Sequence, residues 1–192
     1  MPVMIGTTLL VVYLTILMEF HKRPFYTNAV IANDQELEIR NGHIAYYDRW
    51  LYVLLGGSLI FVSGFRYGFV DTPAYRFMFD HVPTTLEAMF TEPFDLSKEY
   101  GFTLFMAVLR QITTNSQILI LVTTIIIIGI EFYLLQKYAI DLPFSLLIFF
   151  FMEYIDSMNI VRQLMAGMFF LLAIPLIKKK RFLSYCVVIA LL

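Results

Sequence analysis

From Pro2 to Met18, and again from Gln117 to Ile130, the chain carries no charged side chain. About 20 predominantly apolar residues let a helix cross the hydrocarbon core of a bilayer. A surface helix of a soluble fold would alternate an apolar stripe with a charged face, and neither run does. With 59% apolar and 17% aromatic residues against 15% charged, the composition lies far from that of an ordinary globular domain. The expected fold is all-α: one membrane domain over residues 1–192, a multi-pass transmembrane helical bundle. The spans fall at about 2–20, 50–65, 117–135, 142–155 and 159–177, followed by a partial apolar segment at 182–192.

The same composition excludes several functions. No long basic patch suggests nucleic acid as a partner. Cys186 is the single cysteine, so there is no disulfide framework, and His21, His43 and His81 are scattered without metal-ligand spacing. There is no GxxxxGK[ST] loop and no GxGxxG. The reading therefore assigns no metal and no cofactor.

The first run has no Lys or Arg before it and is followed by Glu19, Phe20 and His21. A signal peptide needs a basic start and a small-residue cleavage site, so the expectation is an uncleaved helix with its N-terminus outside. Trp50 and Tyr52 are placed to anchor the inner end of the second span at the interface, and Gly56, Gly57 and Gly64 permit close helix packing. The stretch GFRYGFVDTPAYRFMFDHV from Gly64 carries Arg66, Asp71, Tyr75, Arg76 and Asp80 among aromatics, broken by prolines. Arg66 and Asp71 either pair or offer a cation and an acid to a sugar–phosphate. Glu99 to Ile112 is apolar but too short to cross, which suits an interfacial or re-entrant helix. Within the third span, the isoleucines 125–128 are expected to face lipid.

Asn159 to Ala166 reads NIVRQLMA and opens an apolar segment that ends in Lys178, Lys179, Lys180 and Arg181. Arg162 and Gln163 stand about one turn inside it. An ionisable group at that depth is expensive and usually faces a polar cavity or a partner. On a helix Asn159, Arg162, Gln163 and Ala166 share one face, which Ala173 continues. Three readings fit: an arginine aimed into an anionic cavity, one that snorkels to the headgroups, or one paired with Glu153 or Asp156. The short arm before it implies a hairpin whose tip dips below the membrane surface, burying Glu153, Asp156 and Arg162 near one mouth.

Charge sets the orientation. If the 99–112 segment does not cross, one side holds Lys22, Arg23, Arg40, Arg49, Lys137, Lys178, Lys179, Lys180 and Arg181, nine in all, and the other holds Arg66, Arg76, Lys98 and Arg110, four. The positive-inside tendency then makes 21–49 a cytoplasmic loop and 66–116 extracytoplasmic.

Three stretches now fall on one side: Arg66-Tyr67 with Asp71 to Tyr75, then Glu99 with Gly101 and Phe102, then N-x-x-R-Q-x-x-A at Asn159, Arg162, Gln163 and Ala166. Together, over roughly Trp50 to Leu192, they resemble the EpsG family of multi-pass membrane proteins, similar to Wzy-type polysaccharide polymerases. Phe69 stands where that family usually has glycine. Family members are longer, so the chain looks like an N-terminal portion or a truncated member, not expected to polymerise alone. The resemblance implies polymerisation of lipid-linked oligosaccharide repeat units at the outer face of the bacterial cytoplasmic membrane, in exopolysaccharide or capsular polysaccharide biosynthesis. The implied substrate is a polyprenyl-diphosphate-linked oligosaccharide, with the lipid bilayer and other export or assembly proteins as further partners.

Such a substrate needs cations for the diphosphate, whose oxygens match the guanidinium fork, and a carboxylate to activate the attacking hydroxyl. Arg162, Arg66 and Arg110 are the implied cations, with Asn159 and Gln163 beside them. Asp71 or Glu99 is the implied base. Tyr67, Tyr75 and Tyr100 could stack on sugar faces. Two rivals stay open: another glycosyltransferase or ligase using the same donor, and a polysaccharide transporter or assembly subunit without catalysis.

The orientation is testable by labelling. A single cysteine at Thr84 is expected to react with an impermeant thiol reagent in intact cells, and one at Asn33 is not; the reverse pattern overturns the arrangement.

Overall fold

The computed structural model describes residues 2–20, 49–69, 71–83 and 100–178. The polar loop 21–48, the stretch 84–99 with Glu99, and the final segment 182–192 lie outside the described residues. Among the described residues the chain is all-helical, with no strand. Its α-helices are α1 (Pro2–Phe20), α2 (Arg49–Gly64), α3 (Thr72–His81), α4 (Tyr100–Ile112), α5 (Ser116–Tyr138), α6 (Leu142–Met152) and α7 (Val161–Lys178), with a 3-10 turn at Asp156–Met158 before the last. Val3–Phe20 and Ser116–Tyr138 are long and apolar enough to cross a membrane; 50–64, 101–112, 142–152 and 161–177 are shorter apolar helices.

The chain divides into two compact units: 1–62 with 131–155, and 63–130 with 156–192. In the first unit α1 packs on α6. Thr7, Val11, Leu14, Thr15 and Met18 are buried, a single face at the i, i+3, i+4 spacing of a helix. The opposite face of α1 is just as apolar: Val3, Ile5, Leu9, Tyr13 and Phe20 are exposed. Water does not stabilise such a face, and lipid does. The threonines remain compatible with it because Thr7 donates to the Val3 and Met4 carbonyls and Thr15 to those of Val11 and Val12, leaving no hydroxyl unsatisfied.

The short helix α6 has clear signals at its start. Asp141 caps it by accepting from the Phe144 N–H at 3.2 Å, and Pro143 occupies its first turn. It stops at Met152, earlier than the expected end at 155, and both Glu153 and Asp156 are exposed. The expected burial of these two acids is thus not found. The residue that goes inside is Tyr154: its hydroxyl donates to the Leu59 carbonyl at 2.8 Å, and its ring stacks on Phe150. Gly56 provides the room α2 needs beside Phe132, where an added Cβ would lie 3.0 Å from the ring. Tyr52 turns inward, donating to the Phe132 carbonyl with its ring 4.9 Å from that of Phe132. Only Trp50, 79% exposed, fits the expected interfacial anchor.

In the second unit α3 packs on α4. Tyr75, Phe79 and Val82 are buried, as are Phe102, Met106, Ala107 and Leu109. Pro73 does not break the chain here. It sits in the first turn of α3, where its missing N–H costs nothing, and the helix closes at Val82 just before Pro83. Of the isoleucine run, Ile125 is exposed but Ile127 and Ile128 are buried. Four consecutive helical residues go once round the axis, so they cannot share one lipid face.

Replacing Tyr154 by Phe removes a buried hydrogen bond while keeping the ring. The expected loss is about 1 kcal/mol, read as a lowered thermal midpoint of the detergent-solubilised protein; an unchanged midpoint contradicts the bond.

Candidate functional site

The second unit contains every described residue that the sequence marks for chemistry: Arg66, Asp71, Tyr75, Arg110, Asn159, Arg162 and Gln163. Glu99 lies outside the described residues.

Arg66 follows the last residues of α2 and is only 5% exposed. Its Nη1 donates to the Ser63 carbonyl at 3.1 Å, to Ser63 Oγ at 2.9 Å and to Thr124 Oγ1 at 3.3 Å, and its Nε donates to Thr72 Oγ1 at 3.0 Å. One guanidinium therefore joins the end of α2, the start of α3 and the interior of α5. Thr72 also donates its N–H to the Phe69 carbonyl at 3.0 Å, closing the turn. Asp71 precedes it as the N-cap residue of α3. Its carboxylate makes no cap bond and is half-buried.

A second polar layer adjoins the first. Arg76 donates to Gln117 Oε1 and, at 3.4 Å, to the Arg66 carbonyl. Gln117 in turn donates to the Gly64 carbonyl at 2.6 Å. The Arg76 guanidinium lies 4.3 Å from the ring centroid of Tyr67, which is 80% exposed, a distance suited to a cation–π contact.

The other predicted residues are distributed along α3. Tyr75 is 6% exposed; its hydroxyl donates to the Asn159 carbonyl at 3.1 Å, and its ring meets Phe102 edge-on at 5.9 Å. Both contacts are internal, so the ring offers no open face to a sugar. Arg110 donates to the Phe79 carbonyl at 3.0 Å and lies 3.6 Å from Asp80. It thereby satisfies a carbonyl in the last turn of α3, where a cation is favoured.

Arg162 stands elsewhere than the sequence pattern implies. The helix starts at Val161, so Arg162 and Gln163 are in its first turn rather than one turn inside. Asn159 lies before the helix, in the turn where its N–H and that of Ile160 both donate to the Asp156 carbonyl. It cannot share a helical face with Arg162, Gln163 and Ala166. The first intrahelical bond is Leu164 to Ile160 at 3.1 Å, which leaves the N–H groups of Val161, Arg162 and Gln163 at the positive end of α7. Arg162 is half-buried and Gln163 exposed.

Sequence reasoning noted Arg76 without giving it a role, and passed over Gln117, Ser63, Thr72 and Thr124. One signal was available: Gln117 and Thr124 are seven residues apart in an otherwise apolar run, which puts two polar groups on one helix face. The surface depression lined by Glu131, Ser145 and Glu153 belongs to the first unit and contains none of the residues expected to bind substrate or act as base.

No curated protein and no solved structure matches the chain. The EpsG family profile does, over residues 49–192. That region begins with α2 and includes both arginine layers, α3 and the start of α7. This membrane protein belongs to the EpsG family.

Proposed function

We propose that the chain takes part in polymerising lipid-linked oligosaccharide repeat units at the outer face of the bacterial cytoplasmic membrane, as a multi-pass protein with its N-terminus outside. The observation that carries this reading, beside the family match, is the position of Arg162. A guanidinium in the first turn of a helix adds its charge to the positive end of the backbone dipole, and such an end favours anions. A polyprenyl diphosphate brings that anion together with an apolar tail suited to the neighbouring lipid.

The reaction is a glycosyl transfer. The hydroxyl of one sugar attacks the anomeric carbon of another, forming a C–O bond. The bond from that carbon to the diphosphate oxygen breaks, and polyprenyl diphosphate leaves with the electron pair. Asp71, or Glu99, takes the hydroxyl proton. Arg162, with Gln163 and the turn of Asn159 beside it, binds the diphosphate and opposes the charge that grows on it as it leaves. Asp71 suits the role of base because α3 fixes its backbone while its carboxylate remains outside any helix cap.

Arg162→Ala in the full-length protein is expected to lower polymer yield about 10²-fold or more at equal membrane abundance, the scale for losing one donor to a developing oxyanion. Arg162→Lys should rescue poorly, because an ammonium retains the charge but loses the planar fork. Full activity of the Lys variant, or recovery of Arg162→Ala by Asp156→Asn, makes Arg162 a scaffold residue. Feeding the purified protein lipid-linked repeat units separates the rivals: chain growth supports the reading, whereas transfer to another acceptor, translocation alone, or no change contradicts it.

A further inference from the structure

We propose that Arg66, Tyr75 and Arg110 do not bind substrate but are positioning residues that fix α3, and that the cation this region offers to the sugar–phosphate is Arg76, stacked on the exposed ring of Tyr67. The inference deepens the function proposed above and rests on it.

A ten-residue helix such as α3 is not stable alone in any one orientation. Three side chains fasten it, each to a different segment. At its start Arg66 holds Thr72 and links it to Ser63 and Thr124. In its middle the Tyr75 hydroxyl holds the Asn159 carbonyl, two residues before α7 begins. Near its end Arg110 holds the Phe79 carbonyl and faces Asp80. Asp71 is thereby set at a fixed distance from the start of α7, although no side chain restrains its carboxylate in a cap.

The three fasteners are poorly suited to substrate contact. Arg66 would have to leave four oxygen acceptors to meet a phosphate, and Tyr75 has its hydroxyl and one ring edge engaged inside the unit. Arg76 differs in kind. It is half-exposed, and Gln117 and the Arg66 carbonyl steady the guanidinium. Its Nε is buried without a hydrogen-bond partner among the described residues, as is that of Arg110, so the difference lies in the open ring of Tyr67 beside it. The Tyr67 ring over it presents a flat surface of the type sugars stack on. Arginine and tyrosine together suit a ligand that is anionic at one end and a pyranose at the other.

Thr72 provides the test, because it is 0% exposed and cannot reach any substrate. Thr72→Val, which removes only the acceptor for Arg66, and Tyr75→Phe, which removes only the bond to Asn159, are each expected to lower kcat about fivefold with KM unchanged, the scale of one net hydrogen bond. Arg76→Gln is expected to raise KM about tenfold or more, the scale of a charge-assisted contact. The assay uses the full-length protein and polyprenyl-diphosphate-linked repeat units extracted from cells lacking it. Wild-type kcat in both Thr72→Val and Tyr75→Phe overturns the positioning role, and an unchanged KM in Arg76→Gln overturns the new site. If the wild-type protein extends no chains, the proposed function fails instead. The fastening is then decided by Ala74→Cys, on the exposed side of α3: its maleimide labelling should speed up several-fold when Thr72→Val or Tyr75→Phe is added, and an equal rate overturns it.

Discussion

A guanidinium shut away from water must find its acceptors within the protein, and much of the second unit follows from how Arg66 does so. The desolvation of an isolated charge is large enough that the group is tolerated only when its donors are engaged. Arg66 engages its Nε and Nη1 with two serine atoms and two threonine hydroxyls drawn from three helices. The requirement works in both directions: once the charge is buried, the three segments that supply its acceptors are tied to one geometry. The threonines of α1 obey the same rule on a smaller scale, returning their hydroxyls to their own helix.

This rule explains which parts of the fold were legible in the sequence. Apolar runs mark α1 and α2 closely, whereas α5 continues past Glu131 and Lys137 to Tyr138, so the first charge does not mark its end. The helix α3 was not legible. Its ten residues include Pro73, Arg76, Asp80 and His81, which read as a broken loop until Pro73 is seen at the helix start and Arg76 is seen turned onto Tyr67. The isoleucine run misled for a geometric reason, since adjacent helical residues point to different neighbours.

The sequence brings the candidate residues to notice without assigning each a role. Composition, spacing and the family resemblance together bring Arg66, Asp71, Tyr75, Arg110 and the NIVRQLMA stretch to notice, and all lie in one unit. The pattern could not distinguish a residue that touches a ligand from one that holds its neighbour. Arginine and tyrosine serve both purposes, and only burial and the direction of each hydrogen bond separate them. Asn159 shows the limit most plainly. Its i, i+3, i+4 relation to Arg162 and Gln163 assumes a helix that includes it, whereas the helix begins two residues later; the contact that exists runs through its backbone carbonyl to Tyr75.

The start of α7 changes what the charge of Arg162 means. In the middle of a spanning helix, a cation is a defect that needs a buried acid to neutralise it. In the first turn it lies where backbone N–H groups already point outward, and there a positive side chain is disfavoured by about 0.3–1 kcal/mol. A helix built for stability alone would place Asp, Ser or Thr at that end. The chain instead puts Ile160 at the cap, Arg162 and Gln163 in the first turn, and leaves the acids Glu153 and Asp156 exposed. The charge of Arg162 therefore adds to the positive end of α7 instead of offsetting it. On the function we propose, the diphosphate answers that charge twice over, through its own charge and through oxygens that accept from both guanidinium and amide donors.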